Sequence, residues 1–191
     1  MLRIVVTGPE SSGKTTLAEA LAAHYGTIWV HEAARSYLNA REAFGTASGY
    51  VERDLLAIAE LQLRIEEDLM AMIKPEEPQL IICDTDLITI RIWGEDKFGR
   101  SDPWIVQQTH ERSYDLWLLC APDMPWEPDP LREDPHGRDR LFAIYRHTLE
   151  QLGKPFIAVR GTHAERMQEA TAAIDAASKR VKDAGSSGRT I

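Results

Sequence analysis

Short apolar runs alternate with longer amphipathic segments along most of the chain. Five runs are apolar throughout, which is typical of strands buried on both faces of a sheet. They span residues 2–7, 27–31, 79–83, 114–120 and 155–159. Apolar positions at helical spacing lie between them, and the longest such segment, 51–73, ends at a Lys-Pro-Glu-Glu-Pro sequence. This alternation predicts a three-layer α/β domain with a five-stranded parallel sheet.

The two ends of the chain differ in character. The first apolar run begins at Leu2, whereas the segment from 179 onward has few apolar residues and contains a Gly-Ser-Ser-Gly sequence at 185–188. We therefore expect a single domain over residues 1–178 and a flexible tail over 179–191. Ligands of such sheets gather beyond the carboxyl ends of the strands, so the loops after the apolar runs are the place to search for chemistry.

The loop after the first run carries the strongest motif. Residues 8–15 read Gly-Pro-Glu-Ser-Ser-Gly-Lys-Thr, the spacing of a phosphate-binding loop, between a predicted strand and a predicted helix. Backbone N–H groups of such a loop point at phosphate oxygens, the lysine reaches the β- and γ-phosphates, and the following hydroxyl can ligate Mg²⁺. The predicted nucleotide-binding residues are Gly8, Glu10, Ser11, Ser12, Gly13, Lys14, Thr15 and Thr16. The motif indicates a protein that binds a nucleoside triphosphate.

Two charged residues follow the second run at helical spacing. Glu32 and Arg35 are three positions apart, so on a helix they share one face. Glu32 could accept a proton from a substrate hydroxyl or hold a sugar, and Arg35 could hold a phosphate. A surface ion pair is the alternative.

Two aspartates follow the third run. An acidic residue that ends an apolar strand is the usual Mg²⁺-side carboxylate of phosphate-loop enzymes, and Asp84 has this position. Asp86 lies two residues further on, where it could bind substrate or cap the next helix. Thr15 and Asp84 are therefore the predicted metal ligands.

Two later segments could complete a site. Trp93 and Phe98 lie in a stretch that we expect Gly94 and Gly99 to break, where an aromatic ring could stack on a planar base or belong to the core. Residues 121–140 are rich in proline and charge, which is typical of a lid. Arg132 and Arg138 in this stretch could close over a transferring phosphoryl group.

The loop after the fifth run suggests a nucleotide contact and a helix cap. Gly161 would let the backbone approach an adenine base, whereas Thr162 and Glu165 have the spacing of a capping box for the last helix.

Composition and charge exclude several classes of function. A net charge of −8 with no basic run argues against general nucleic-acid binding. The chain has no signal-peptide layout and no apolar stretch long enough to span a bilayer, so we expect a cytoplasmic enzyme with no membrane partner. Cys83 and Cys120 each end an apolar run and are expected to be buried thiols. No pattern in the sequence indicates an oligomeric state.

Taken in order, these motifs resemble the ribosylnicotinamide kinase domain of NadR-type NAD-salvage proteins. The resemblance rests on the phosphate loop, the Glu-x-x-Arg-x-Tyr segment 32–37, the Asp-Thr-Asp segment 84–86, Trp93, and the proline- and arginine-rich stretch with Asp129, Arg132 and Arg138. It implies transfer of the ATP γ-phosphate to the 5′-hydroxyl of nicotinamide riboside, which gives nicotinamide mononucleotide. In the full-length family pattern an adenylyltransferase domain precedes the kinase. Since this chain starts at the kinase's first strand, we expect a stand-alone kinase.

The resulting hypothesis is a small-molecule kinase that uses ATP and Mg²⁺ and acts on a nucleoside-like acceptor. Either Asp84 or Glu32 accepts the hydroxyl proton, and Trp93 or Tyr37 stacks on the acceptor base. Two alternatives stay open, namely a kinase of another nucleoside or small metabolite and a regulatory NTPase without a small-molecule acceptor. Nucleotide hydrolysis without an acceptor would indicate the second.

Overall fold

Five parallel strands form one sheet in the computed structural model, which describes residues 1–43, 49–126 and 137–187. The strands are β1 (Leu2–Thr7), β2 (Ile28–Val30), β3 (Leu80–Asp84), β4 (Leu116–Cys120) and β5 (Phe156–Val159). Their order across the sheet is β2-β3-β1-β4-β5. Each apolar run identified in the sequence forms one of these strands, so the prediction of a parallel α/β sheet is confirmed.

Helices connect the strands. In the described part of the chain they are α1 (Lys14–Tyr25), α2 (Ala33–Ala43), α3 (Glu52–Met72), α4 (Leu87–Phe98), α5 (Pro103–Glu111), α6 (Arg138–Gln151) and α7 (His163–Ser187). The last helix continues through 179–187, where the sequence led us to expect a tail without regular structure. The domain boundary at 178 stays a prediction.

One expected break in the chain is absent. Helix α4 runs unbroken through Gly94, whereas Gly99 adopts a left-handed conformation (φ 73°) and ends the helix. A Cβ atom on Gly94 would lie 2.9 Å from the carbonyl oxygen of Arg100, so glycine here permits close packing of the helix against the following loop. The prediction of an irregular segment around Trp93 was therefore wrong, and Trp93 lies on a helix.

Apolar residues cover both faces of the sheet. On one face, α1 and α7 pack against alternate strand residues such as Ile4, Val6 and Ile82. On the other face, α4 and α6 pack against strand residues such as Val5, Ile81 and Leu119. Together the helices and the sheet form three layers, and they leave the carboxyl ends of β1 and β3 at the centre of one edge.

The two cysteines lie on the strands that flank β1. Cys83 on β3 and Cys120 on β4 are both buried free thiols, as the sequence predicted. Within the three described ranges, no helix is both long and apolar enough to cross a bilayer.

Candidate functional site

The loop between β1 and α1 has the backbone conformation that phosphate binding requires. Gly8 (φ 137°) and Gly13 (φ 77°) both occupy regions that favour glycine. A Cβ atom on Gly8 would lie 2.7 Å from the carbonyl oxygen of Cys120, so the loop passes directly against the end of β4. Gly13 is the N-cap of α1, which places the following amide groups at the positive end of that helix.

Two side chains of the loop donate hydrogen bonds to the loop's own backbone. Ser12 Oγ donates to the carbonyl oxygen of Pro9 at 2.7 Å, and Lys14 Nζ donates to the same oxygen at 2.9 Å. The Lys14 ammonium group therefore lies along the loop, within the concavity that a triphosphate would enter.

The two predicted metal ligands are in direct contact. Thr15 Oγ1 donates to Asp84 Oδ2 at 2.7 Å, while Asp84 Oδ1 is buried without a hydrogen-bond partner. Burial raises the pKa of Asp84, and the Thr15 hydrogen bond and the nearby Lys14 charge oppose this shift. A buried carboxylate oxygen with unused lone pairs beside a hydroxyl is a donor set that fits Mg²⁺.

No group of three or more His, Cys, Asp and Glu side chains in the described residues forms a metal cluster.

Asp86 faces a different part of the molecule from Asp84. Trp117 Nε1 donates to Asp86 Oδ2 at 2.9 Å, and Trp117 belongs to the core on the α4 and α6 side of the sheet. Thr85 between the two aspartates has a φ of 71°, rare for a β-branched residue, and this turn sends the two side chains to opposite faces. Asp86 is the N-cap of α4 but makes no side-chain cap hydrogen bond. Contrary to the substrate-binding prediction, the structure does not bring it to the cavity described next.

A cavity of about 410 Å³ extends from the phosphate loop to α2, α4 and α6. Its volume falls within the range of roughly 300–1,000 Å³ that is usual for small-molecule sites. One wall is the loop segment from Pro9 to Thr16. Met124 lies beside this loop, and Pro125 also lines the cavity. We call the remaining lining residues the second wall; they are Glu32, Ala34, Arg35, Leu38, Tyr50, Trp93, Asp96, Lys97, Leu141 and Tyr145. Glu32, Arg35 and Trp93 were predicted from the sequence, and the structure brings all three to the second wall.

Aromatic rings form one side of the cavity wall. The ring of Tyr50 stacks on that of Trp93 with a centroid distance of 5.4 Å and an interplanar angle of 23°. The Phe98 ring packs edge-on against Tyr50, and Lys97 Nζ lies 4.0 Å from the Tyr50 ring centroid. This part of the cavity lining is therefore aromatic, and the Lys97 ammonium group already lies over the Tyr50 ring.

Tyr37 does not belong to this wall. Its hydroxyl donates to Asp54 Oδ1 at 3.2 Å, which joins α2 to α3. The structure therefore does not support stacking of Tyr37 on the acceptor base, and it is Tyr50 that lines the cavity beside Trp93. Tyr50 lies in no sequence motif and reaches Trp93 only through the tertiary fold.

Arg138 at the start of α6 lies beside the phosphate loop. Its Nη1 donates to the carbonyl oxygens of Ser11 at 3.2 Å and Met124 at 2.9 Å. This position agrees with a role near the phosphates. Arg132 and Asp129, the other residues named for the lid, lie outside the described residues.

The loop after β5 contains the predicted helix cap. Glu165 Oε2 accepts hydrogen bonds from Thr162 N at 2.8 Å and Thr162 Oγ1 at 2.7 Å, directly before α7. Gly161 has a φ of 81°, and its N–H donates to Asp123 Oδ2 at 2.8 Å. The capping prediction is confirmed, while the contact of Gly161 with adenine stays a prediction.

Comparison with known proteins places this geometry among phosphate-loop proteins. A family model described as an AAA domain matches residues 3–166. A trifunctional NAD biosynthesis/regulator protein NadR from Salmonella typhimurium is 27% identical over 138 residues, which are 72% of this chain and 32% of that protein. The protein of the same name from Escherichia coli is 27% identical over 159 residues, 82% of this chain and 37% of that protein. The chain thus spans about a third of the length of the curated relatives it matches.

Solved structures show the same fold. A NadR protein crystallised in complex with NR matches with a TM-score of 0.69 and 21% identity, over 92% of this chain and 50% of that chain. A deoxyadenosine kinase from M. mycoides matches with a TM-score of 0.60 and 12% identity, over 92% of this chain and 99% of that chain. The fold is therefore that of the phosphate-loop kinases, and the resemblance to NadR noted in the sequence is confirmed.

Proposed function

This chain belongs to the AAA domain family, and we propose that it is an ATP-dependent kinase that phosphorylates the 5′-hydroxyl of nicotinamide riboside to give nicotinamide mononucleotide. One observation carries the proposal. The phosphate loop and a group of aromatic and charged residues line one and the same cavity, so a donor and an acceptor could meet in it. A site built only to bind or hydrolyse a nucleotide does not need the second wall.

In this proposal the phosphate loop binds the donor nucleotide. The amide groups of residues 8–15 and the Lys14 ammonium group hold the triphosphate, and Arg138 adds positive charge beside Ser11. Thr15 and Asp84 would hold Mg²⁺, which when bound neutralises charge on the transferring phosphoryl group.

In this proposal the second wall of the cavity binds the acceptor. We assign Glu32 as the group that takes the hydroxyl proton, because Glu32 lines the cavity whereas Asp84 is engaged with Thr15. The acceptor oxygen forms a bond to the γ-phosphorus as the bond to the β–γ bridging oxygen breaks. ADP leaves, and the acceptor proton passes to the Glu32 carboxylate. In this proposal the acceptor ring stacks against the Trp93–Tyr50 pair, which lines the cavity.

The choice of nicotinamide riboside draws support from the relatives, since NadR was crystallised with NR and with NAD and AMP-PNP. The likeness to a deoxyadenosine kinase supports a second candidate, a kinase of a neutral nucleoside.

A panel of acceptors separates the candidates. The protein is supplied with ATP and Mg²⁺ and with nicotinamide riboside, deoxyadenosine, deoxycytidine or no acceptor, and product is measured by chromatography. We expect transfer to nicotinamide riboside at the highest kcat/KM. Preference for a deoxynucleoside would contradict the substrate, and phosphate release independent of any acceptor would contradict the kinase assignment.

A matched pair of lysine variants tests the site. Lys14→Ala should lose at least about 100-fold in kcat/KM, a loss typical of a group that stabilises transition-state charge. Lys74→Ala, which changes an exposed lysine after α3, should retain full activity. Full activity in Lys14→Ala would show that the loop is not the catalytic phosphate site.

A further inference from the structure

Arg166 on α7 is almost completely buried, with 2% of its surface exposed, and it lies behind the phosphate loop. Its Nη1 donates to the carbonyl oxygen of Ser12 at 2.6 Å. Nη2 donates to the carbonyl oxygen of Ala121 at 2.8 Å, and Nε donates to that of Gly161 at 3.0 Å. A charged side chain is seldom buried so deeply unless every donor is used, and here its charge is balanced by a salt bridge to Asp123.

The partners of Arg166 belong to three separate loops. Ser12 lies in the phosphate loop, Ala121 and Asp123 follow β4, and Gly161 follows β5. Asp123 closes the network, because its Oδ2 also accepts the Gly161 N–H at 2.8 Å. One planar guanidinium group thus joins all three loops that meet behind the phosphate site.

The bond to Ser12 has a direct consequence for the phosphate loop. The peptide between Ser12 and Gly13 is planar and trans, so its carbonyl and N–H groups point in opposite directions. A carbonyl held towards Arg166 directs the Gly13 N–H away from Arg166, to the side of the loop where a phosphate binds. Gly13 itself has a left-handed φ of 77°. The hydrogen bond from Arg166 to Ser12 helps to hold the loop in this conformation.

We propose that Arg166 is a positioning residue for the donor nucleotide. It orients the Ser12–Gly13 peptide and ties the loops after β4 and β5 to it, and so sets the affinity for ATP without touching ATP. This inference rests on the proposed function only in taking ATP as the donor.

The test compares arginine variants at two sites. Arg166→Lys keeps the charge but cannot reach three carbonyls at once, because an ammonium group lacks the planar fork. Arg112→Lys is the matched control, since Arg112 is also largely buried and paired with acids, but its salt-bridge partners are Glu66 and Glu67 on α3 rather than the phosphate loop. For each protein we would measure the melting temperature, the Kd of MgATP and MgADP by calorimetry, and KM for ATP and for nicotinamide riboside.

We expect Arg166→Lys to raise the Kd of both nucleotides and the KM for ATP by about 10- to 100-fold, the loss seen when a residue supporting a ligand group is removed. The KM for nicotinamide riboside should stay unchanged. Arg112→Lys should lower the melting temperature without a change in nucleotide affinity. A purely structural role for Arg166 would produce the Arg112 pattern.

Wild-type nucleotide affinity in Arg166→Lys would overturn the inference, since charge alone would then suffice. Asp123→Asn provides a second, milder variant should Arg166→Lys fold poorly, and it should weaken nucleotide binding in the same direction. A wild-type protein that binds MgATP but phosphorylates no acceptor would refute the proposed function, while the Kd comparison would still decide the role of Arg166. A wild-type protein that binds no nucleotide would overturn both.

Discussion

At the scale of single residues, the contact between Thr15 and Asp84 brings the two predicted Mg²⁺ ligands together. Thr15 lies at the start of α1 and Asp84 at the end of β3; the two side chains meet at 2.7 Å, and the second carboxylate oxygen of Asp84 is buried without a protein partner. Burying such an oxygen unpaired is costly, and a bound Mg²⁺ would use it.

Asp84→Asn should therefore raise the Mg²⁺ concentration needed for half-maximal activity by about 10- to 100-fold, because a neutral amide is a poorer Mg²⁺ ligand than a carboxylate. The measurement is the initial rate of phosphoryl transfer across a Mg²⁺ titration. Asp68→Asn, at an exposed position on α3, is the control and should leave the titration unchanged. An unaltered Mg²⁺ requirement in Asp84→Asn would exclude this residue as a ligand.

At the scale of elements, α3 is docked on the sheet partly through a buried acid. Glu66 is fully buried, and its Oε2 accepts a hydrogen bond from the hydroxyl of Tyr114 at 2.8 Å. Arg112 and Arg3 lie 3.5 Å and 3.9 Å from Oε1. Burial raises the pKa of Glu66, whereas the Tyr114 hydrogen bond and the two arginines oppose the shift.

The raised pKa makes the stability of the fold depend on pH. A carboxyl group with a higher pKa in the folded state binds more protons there than in the unfolded chain, so its contribution is fully present below about pH 4.3 and is lost as the pH rises through the folded-state pKa. Urea unfolding of the wild type and Glu66→Gln at several pH values measures this contribution. We expect the difference in unfolding free energy, wild type minus variant, to fall as the pH rises.

Glu67→Gln is the neighbouring control, because Glu67 is largely exposed and should show no comparable trend. A Glu66→Gln difference that grows with pH would mean that the arginines, rather than burial, dominate the ionisation of Glu66.

At the scale of the whole molecule, the strand order decides which loops face one another. The order β2-β3-β1-β4-β5 places β1 at the centre, so the phosphate loop that follows it is flanked by the loops after β3 and β4. Helices α2, α4 and α6 then contribute the second wall of the cavity. The proposed donor and acceptor sites are thus formed by different elements, although their residues are interleaved along the chain.

This separation predicts that binding of the two substrates can be altered independently. Trp93→Ala should raise the KM for nicotinamide riboside about 5- to 150-fold, since stacking on an aromatic side chain contributes about 1–3 kcal/mol per base. The KM for ATP should not change. Steady-state kinetics with each substrate varied in turn gives both constants, and Trp104→Ala, which alters a tryptophan of the same apolar cluster outside the cavity wall, is the control. Equal changes in both KM values would argue against separate subsites.

Local patterns in the sequence were sufficient for the fold and the donor loop. Strands buried on both faces are apolar without alternation, and the glycines and lysine of the phosphate loop are contiguous, so both features can be recognised from neighbouring residues. The cap of α7 by Thr162 and Glu165 was predictable for the same reason. Asp84 was recognisable as the residue that ends an apolar strand.

The acceptor wall was only partly predictable, because its residues are distant in sequence. Tyr50 precedes α3 and Tyr145 lies on α6, yet both reach the wall that carries Trp93. Tyr37 lies within the Glu-x-x-Arg-x-Tyr segment but bonds to Asp54 instead, because α2 packs on α3. The position of the Asp86 side chain was also not predictable from the sequence, because a single left-handed residue, Thr85, turns it away from Asp84.

The sequence alone determined that this protein has a parallel sheet, a phosphate-binding loop and a carboxylate at the end of a neighbouring strand, because each depends on residues close together in the chain. Only the tertiary structure decided which side chains face that loop. Tyr50 rather than Tyr37 joins Trp93, Asp84 but not Asp86 meets Thr15, and Arg166 reaches the phosphate loop from the last helix. Those choices depend on strand order, on helix packing and on one backbone turn, which bring together residues that no sequence spacing relates.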